Sequence, residues 1–323
     1  MESYLETTID VYHKAALSPN EGLCCTTNSI WQLPGLTIPG KMLKMNYGCG
    51  STVHPADLSG DPAVLYVGIG GGMELLQFTY FSRHTGKVVG LDVVDQMIDV
   101  CDANLKEAEK LNPWFRRDFI RLIHGNALAL PVEDSSIDIA AQNCLFNIFT
   151  RKDLVKAIGE MYRVLKPGGR LILSDPVCDT EMPQHLADDE DLRAICLSGA
   201  ISLNEYLHLI TSAGFGTVEV RAKYPYRILS KEKYALEADI FIESVEICAI
   251  KDLIPADGPC IFTGRSAIYF GSEEYFDDHN GHILLNNHPL SICNKTAEKL
   301  AALNRSDIFI SDSTWHYNGG GCC

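Results

Sequence analysis

Short unbroken apolar runs recur through the first two thirds of the chain, separated by stretches whose apolar residues return every three or four positions. The runs read as buried strands and the intervals as helices packed over them. Val64-Leu65-Tyr66-Val67 is the first run, and a helix-like segment follows to about Arg83. Val88-Val89-Gly90-Leu91 is the second and ends on Asp92. Residues 93–111 carry Met97, Cys101 and Leu105 on one stripe, the pattern of an amphipathic helix, which places Cys101 in the core as a small hydrophobe. Phe119 to Ile123 gives a third strand before Gly125-Asn126-Ala127, and Ile137 to Gln142 a fourth running into Asn143-Cys144. Asp153 to Leu165 is a helix stopped by Lys166-Pro167-Gly168-Gly169, and Arg170 to Ser174 a fifth strand ahead of Asp175-Pro176. A helix over Asp188 to Leu197 carries Cys196, another over Leu203 to Ala213 is capped by Gly214, and Thr217 to Arg221 is a further strand.

Strands alternating with helices at this spacing predict an α/β protein with a parallel, doubly wound, Rossmann-like sheet. Ligands of such sheets lie beyond the carboxyl ends of the strands, here Gly68, Asp92, Gly125, Asn143 and Ser174. Three regions are expected: a partly helical cap segment over 1–62, the sheet domain over 63–222, and a C-terminal α+β domain over 223–323. From about Lys223, short β-like runs (Cys248 to Ile250, Ala267 to Phe270, His282 to Leu285) alternate with turn-rich pieces and one helical run, Lys295 to Leu303. The chain ends in Gly-Gly-Gly-Cys-Cys.

Between the first two runs, Gly68, Gly70, Gly71 and Gly72 form a tight turn, and an acidic residue, Asp92, closes the second run. A βαβ unit holds a nucleoside this way: glycines let the backbone approach the ligand, and the carboxylate accepts bonds from ribose hydroxyls. The spacing is Gly-x-Gly-x-Gly rather than Gly-x-Gly-x-x-Gly, which favours S-adenosylmethionine (SAM), a ligand with no pyrophosphate to seat on the helix N-terminus. Glycines that merely close a strand–helix turn would look the same, so both readings stand.

Composition narrows the partners. The 323 residues are 46% hydrophobic with a mean hydropathy of zero, ample for one large domain or two modest ones. A net charge of −15 and a pI near 5.0 argue against nucleic-acid or membrane-surface partners. No apolar run reaches the ~18 residues of a membrane span, and the acidic start MESYLETTID resembles no targeting peptide, so a cytoplasmic location is expected. In that setting the 12 cysteines read as thiols rather than disulfides, and none forms a C-x-x-C pair. His279, His282, His288 and His316 cluster near the C-terminus without zinc-ligand spacing.

Three cysteines fall where the sheet would gather them: Cys144 after the fourth strand, Cys196 after the fifth, and Cys49 in the cap. Each alone reads as a small hydrophobe. Together, beside the glycine turn, they would form a trithiolate pocket for a soft ion. Trivalent arsenic takes three sulfur ligands in a pyramid and keeps a lone pair, which can attack the sulfonium methyl of SAM when held in line. On this scheme the transfer needs no general base.

Tyr47-Gly48-Cys49, Gln142-Asn143-Cys144-Leu145-Phe146-Asn147, Tyr162 to Gly169 (YRVLKPGG) and Cys196-Leu197-Ser198-Gly199-Ala200 carry a resemblance over roughly residues 45–220. The chain resembles the arsenite S-adenosylmethionine methyltransferases. ESVEICAIKD, DGPCIFTG and the Gly-Gly-Gly-Cys-Cys end are similar to the longer subgroup associated with arsenosugar biosynthesis. The resemblance implies a class I SAM-dependent methyltransferase that converts arsenite to mono-, di- and trimethylarsenicals, for arsenic detoxification or arsenosugar biosynthesis. It implies Cys49, Cys144 and Cys196 as the arsenic-binding, catalytic thiols, and Tyr47, Gly68, Gly70, Asp92, Met97, Asn126, Ala127 and Asn143 as SAM contacts. It further implies that arsenite and methylarsenicals arrive as thiol complexes and that glutathione or thioredoxin is the reductant.

Two departures accompany it. The family uses a further N-terminal cysteine in a turnover disulfide; Cys24 and Cys25 are both candidates, and neither has the matching spacing. Tyr66 stands where class I methyltransferases usually carry an acid, so another group must meet the methionine amine. Cys322 and Cys323 are candidates for capturing arsenic on a vicinal dithiol, or form a dispensable tail; Cys260 and Cys293 join them or pack as core. Two competing readings remain: methylation of a small organic acceptor such as a sterol or quinone, and a non-catalytic arsenic- or metal-binding protein on a methyltransferase fold.

Overall fold

The computed structural model describes residues 2–19, 23, 33–317 and 319. Among the described residues, α1 (Ser3–Leu17) and α2 (Gly40–Lys44) precede the first strand. The alternation that follows is β1 (Val64–Val67), α3 (Met73–Phe81), β2 (Val88–Asp92), α4 (Asp95–Leu111), β3 (Ile120–His124), β4 (Ile137–Asn143), α5 (Arg151–Val164) and β5 (Leu165–Val177). Then come α6 (Gln184–Ala187), α7 (Glu190–Ala194), α8 (Leu203–Ser212), β6 (Thr217–Leu229), α9 (Lys231–Tyr234), β7 (Ile240–Ile250) and β8 (Cys260–Phe262).

These eight strands make one sheet in the order β3-β2-β1-β4-β5-β7-β6-β8. β3, β2, β1, β4 and β5 are parallel, and β7 alone is reversed, pairing antiparallel with both β5 and β6. The doubly wound arrangement read from the alternation is therefore present. Every residue of β1 is buried because helices cover both faces of the sheet, which is why the strand reads as an unbroken apolar run. The strand order reverses between β1 and β4, and a ligand crevice opens at such a switch point. α4 turns Met97, Cys101, Leu105 and Ala108 into the core, and α8 starts at Ser202, whose hydroxyl accepts from the Glu205 N–H at 3.2 Å.

Three elements differ from the expectation. The residues from Asp188 to Leu197 do not form one helix: Asp189 caps α7 by accepting from the Leu192 N–H at 2.9 Å, separating it from α6, and Cys196 lies beyond the helix with φ +61°. Lys166 to Gly169 does stop α5, but as an irregular stretch inside β5: Gly168 has φ +78°, its N–H reaches Lys251 O, and Gly169 O accepts from Lys251 N–H. The boundary expected at residues 222/223 falls inside β6, and β7 and β8 complete the main sheet. The outer parts of these strands alternate between buried and exposed residues, so they lack the continuous apolar signature of the parallel strands.

The α+β unit begins after Phe262. β9 (Arg265–Tyr269) is the centre of a three-stranded antiparallel sheet with β12 (Leu290–Ile292) and β13 (Ile308–Ile310), beside the hairpin of β10 (Tyr275–Asp277) and β11 (Ile283–Leu285) and helix α10 (Asn294–Ala302). Its small core holds Ala267, Tyr269, Leu284, Ile292, Ala297 and Leu300. Cys24, Cys25, Cys322 and Cys323 lie outside the described residues. No helix among the described residues is long and apolar enough to cross a membrane.

Candidate active site

A cavity of about 1100 Å³, counting the space at its open mouth, sits over the carboxyl ends of β1, β2, β3 and β4. Its floor is the turn after β1, where Gly68 and Gly72 have φ of +79° and +89°, a region closed to most side chains. Gly70, Asp92, Met97, Asn126, Ala127 and Asn143 also line it. The cap supplies the facing wall through Leu5, Thr8, Ile9, Tyr12 and Tyr47, the two tyrosine rings meeting edge to face at 6.4 Å. Thus all eight residues singled out for SAM border one cavity.

The carboxylates at its base are set by the backbone. Asp92 Oδ2 accepts from the Ile69 N–H and Oδ1 from the Val94 N–H, each at 3.0 Å, which pins the side chain between the glycine turn and α4. Burial pushes its carboxyl up to about 6, while these two N–H groups pull against the shift. Each oxygen can accept further bonds.

At position 66 the hydroxyl of Tyr66 donates to Glu74 Oε2, from the first turn of α3. Glu74 Oε1 accepts from the Thr52 N–H at 2.8 Å and the Thr52 hydroxyl at 3.0 Å, and Oε2 from Asn143 Nδ2 at 3.2 Å. Burial raises the Glu74 carboxyl above its ordinary range. Glu74 lines the cavity beside Tyr66, so a carboxylate is present although the strand does not carry it.

Asn143 is more than a wall residue. Its Oδ1 accepts from the Cys49 N–H at 2.9 Å, and its Nδ2 donates to Gly50 O at 2.9 Å, so one amide clips the Cys49 loop to the end of β4. A Cβ at Gly48 would lie 2.4 Å from Asn143 Nδ2, which is why the loop has glycine there. Cys144 follows in a left-handed turn, φ +61°, its N–H donating to Ser174 O at 2.7 Å. The Cys196 thiol donates to Cys144 O at 2.6 Å, and Cys49 Sγ is 3.4 Å from Ser174 Oγ. Cys49, Cys144 and Cys196 are thus all buried and all anchored on the ends of β4 and β5. Cys144 alone of the three is on the cavity wall. Among the described residues, no three His, Cys, Asp or Glu side chains stand close enough to hold a metal ion, so the thiols share a sheet edge without converging on one point.

Residues 65–173 match the family model of a methyltransferase domain. A crystal structure of an arsenic (III) S-adenosylmethionine methyltransferase from Chlamydomonas reinhardtii superposes with a TM-score of 0.58, covering 87% of this chain and 95% of that one at 23% identity, which speaks to fold. The arsenite methyltransferase of Aquipseudomonas alcaligenes is 32% identical over 259 residues, 77% of this chain and 71% of that protein. The chain belongs to the arsenite methyltransferase family. The arsenite methyltransferase of Halobacterium salinarum is 30% identical over 55% of this chain, which spans only 44% of that relative.

As a member of the arsenite methyltransferase family the protein is a SAM-dependent methyltransferase, and the cavity fits that donor. It has a glycine-floored turn, a carboxylate pinned by backbone N–H groups, and room for a nucleoside with its side chain. Sequence reasoning passed over Glu74 and Thr52. An acid two residues after the last glycine, paired with a tyrosine at 66, was the available signal for Glu74. It also passed over Asp175, whose Oδ2 accepts from the Tyr206 hydroxyl at 2.6 Å and from Gln142 Nε2. Gln142 Oε1 in turn accepts from the Leu145 N–H at 2.8 Å, so this buried triad braces the turn that presents Cys144.

Proposed function

We propose that the protein transfers the methyl group of SAM to trivalent arsenic, which on binding draws Cys49, Cys144 and Cys196 together from the sheet edge they share. The observation that carries the reading is the anchoring of all three thiols on the two strand ends beside the cavity, with Cys196 bonded directly to the Cys144 carbonyl. One support is independent of it: Cys144 and Cys196 both hold φ of +61°, a conformation non-glycine residues keep where the surroundings over-determine it, and such residues cluster at functional sites.

SAM, when bound, supplies an electrophilic methyl on a sulfonium. Asp92 accepts the ribose hydroxyls, and Glu74 takes over the contact to the methionine ammonium that Tyr66 cannot make. Asn143 holds the Cys49 loop against β4, so that thiol stays at the edge of the crevice. Arsenic enters by ligand exchange: each new bond to a protein sulfur replaces one to oxygen or to a carrier thiol, and the thiol proton leaves with the departing group. Arsenic's own lone pair is the nucleophile, so what the chain supplies is orientation. Tyr12 and Tyr47 close the cap side and keep water from the transfer. Transfer spends that lone pair and takes arsenic from the trivalent to the pentavalent state; two thiols return the two electrons as they close to a disulfide, which glutathione or thioredoxin reopens. Arsenite arrives as a complex with a small thiol, and the methylated products serve arsenic detoxification or arsenosugar biosynthesis.

Cys144→Ser and Cys196→Ser test the reading. Each should lower arsenic methylation by about a hundredfold or more, while calorimetry finds SAM affinity unchanged within about threefold. Near wild-type methylation by both variants would sink it.

A further inference from the structure

Two thiols outside this site lie beside polar side chains where the α+β unit meets the main sheet. Cys101 and Cys248 lie in the main core, where burial pushes their thiols well up, the condition of inert packing. Cys260 on β8 and Cys293, the residue before α10, pack in a separate buried cluster with Phe262 and Tyr317, where the α+β unit meets the edge of the main sheet. The Lys295 ammonium, next to Cys260, donates to Asp257 Oδ1 and Gly258 O, both at 2.7 Å. A cation there favours the thiolate.

Cys293 has a different partner. Its Sγ is 3.1 Å from Thr296 Oγ1, which is 3.4 Å from His282 Nε2, and His282 Nδ1 is 2.5 Å from Asp278 Oδ2. With Nδ1 donating to Asp278, Nε2 accepts from the Thr296 hydroxyl, and that oxygen accepts from the thiol. The Thr296–His282–Asp278 chain gives the Cys293 proton a path out.

We propose that Cys260 and Cys293 form a dithiol site for a trivalent organoarsenical bearing one carbon substituent and two exchangeable ligands; the choice of arsenic rests on the function proposed above. Two thiols satisfy such a species fully, whereas arsenite would keep a third exchangeable position. Two As–O bonds break and two As–S bonds form. The two hydroxide groups leave as water with the two thiol protons, and arsenic stays trivalent. Tyr317, stacked on Phe262 with ring centroids 4.7 Å apart, completes the same buried cluster, which must open for entry. The site would retain a once-methylated intermediate on the enzyme between transfers.

Phenylarsine oxide is the probe, because it has one carbon substituent and two exchangeable positions. The full chain carrying Cys144→Ser and Cys196→Ser is treated with one equivalent in a monothiol buffer, digested, and mapped by mass spectrometry. One phenylarsenic per chain should bridge the peptides holding Cys260 and Cys293. Cys293→Ser and, separately, Cys260→Ala should each cut this adduct at least tenfold in protein whose circular dichroism matches the parent. His282→Gln should slow capture severalfold at unchanged stoichiometry; an unchanged rate overturns the relay. No adduct, or one mapped to other cysteines including Cys322 and Cys323, overturns the site. The readout uses neither SAM nor turnover. Methylation without this adduct therefore sinks the site alone, and the adduct without methylation sinks only the function proposed above.

Discussion

Asp175, on β5 and bonded to Tyr206 of α8, has no exposure to water, and burial pushes its carboxyl up to about 7 against the bonds from Tyr206 and Gln142. The sign of the consequence is fixed by linkage. A carboxyl raised above its unfolded value stabilises the fold fully below about pH 4, and that contribution is lost as pH rises through about 7. Asp175→Asn still accepts from Tyr206 and has no such loss. Between pH 5 and pH 8, urea denaturation should show wild type losing on the order of 2 kcal/mol that the variant keeps; parallel pH profiles would contradict the assignment. The same residue marks what a sequence conceals. Glycine turns and Asp92 announce themselves by spacing, whereas Asp175 and Glu74 gain their roles from partners far along the chain, Tyr206 and Thr52. Nothing in the local pattern distinguishes Asp175 from a surface acid, and Glu74 is marked only by its place after the glycine turn.

At the scale of elements, the inner parallel strands were readable because both faces are buried, and the ends of β1 to β4 border the cavity, whereas Ser174 at the end of β5 does not line it. The segment carrying Cys196 was not. Its apolar spacing suits a helix, but Asp189 caps a short one and the chain leaves it at Ala194, so Cys196 is presented from a turn. That turn is held against its neighbour by close backbone contact: a Cβ at Gly199 would lie 1.9 Å from Asn147 O. Gly199→Ala should therefore push the Cys196 turn away from the Cys144 turn. Expected are a stability loss of about 1–3 kcal/mol and a fall in arsenic methylation, with SAM affinity retained because the glycine floor is untouched. A variant methylating at the wild-type rate would show that the two turns need not be held together.

Across the whole molecule, the sheet is larger than the apolar pattern suggested. β6 and β7 are long, partly exposed antiparallel strands, so their alternation read as a change of domain when it was the edge of the same sheet. The α+β unit is correspondingly smaller. Its contact with β8 brings Cys260 and Cys293 together, a juxtaposition invisible in a sequence where they are 33 positions apart. The account joins these parts into one enzyme: a cavity for the methyl donor, a thiol-bearing edge for arsenic, and an outlying dithiol for a partly methylated product. Its central claim is best tested by incubating the protein with arsenite, SAM and a thiol reductant, and separating the arsenic species by chromatography with mass detection. The account predicts methylarsenicals, with one S-adenosylhomocysteine formed per methyl group transferred. Arsenic recovered wholly as arsenite, from protein that binds SAM, would contradict it.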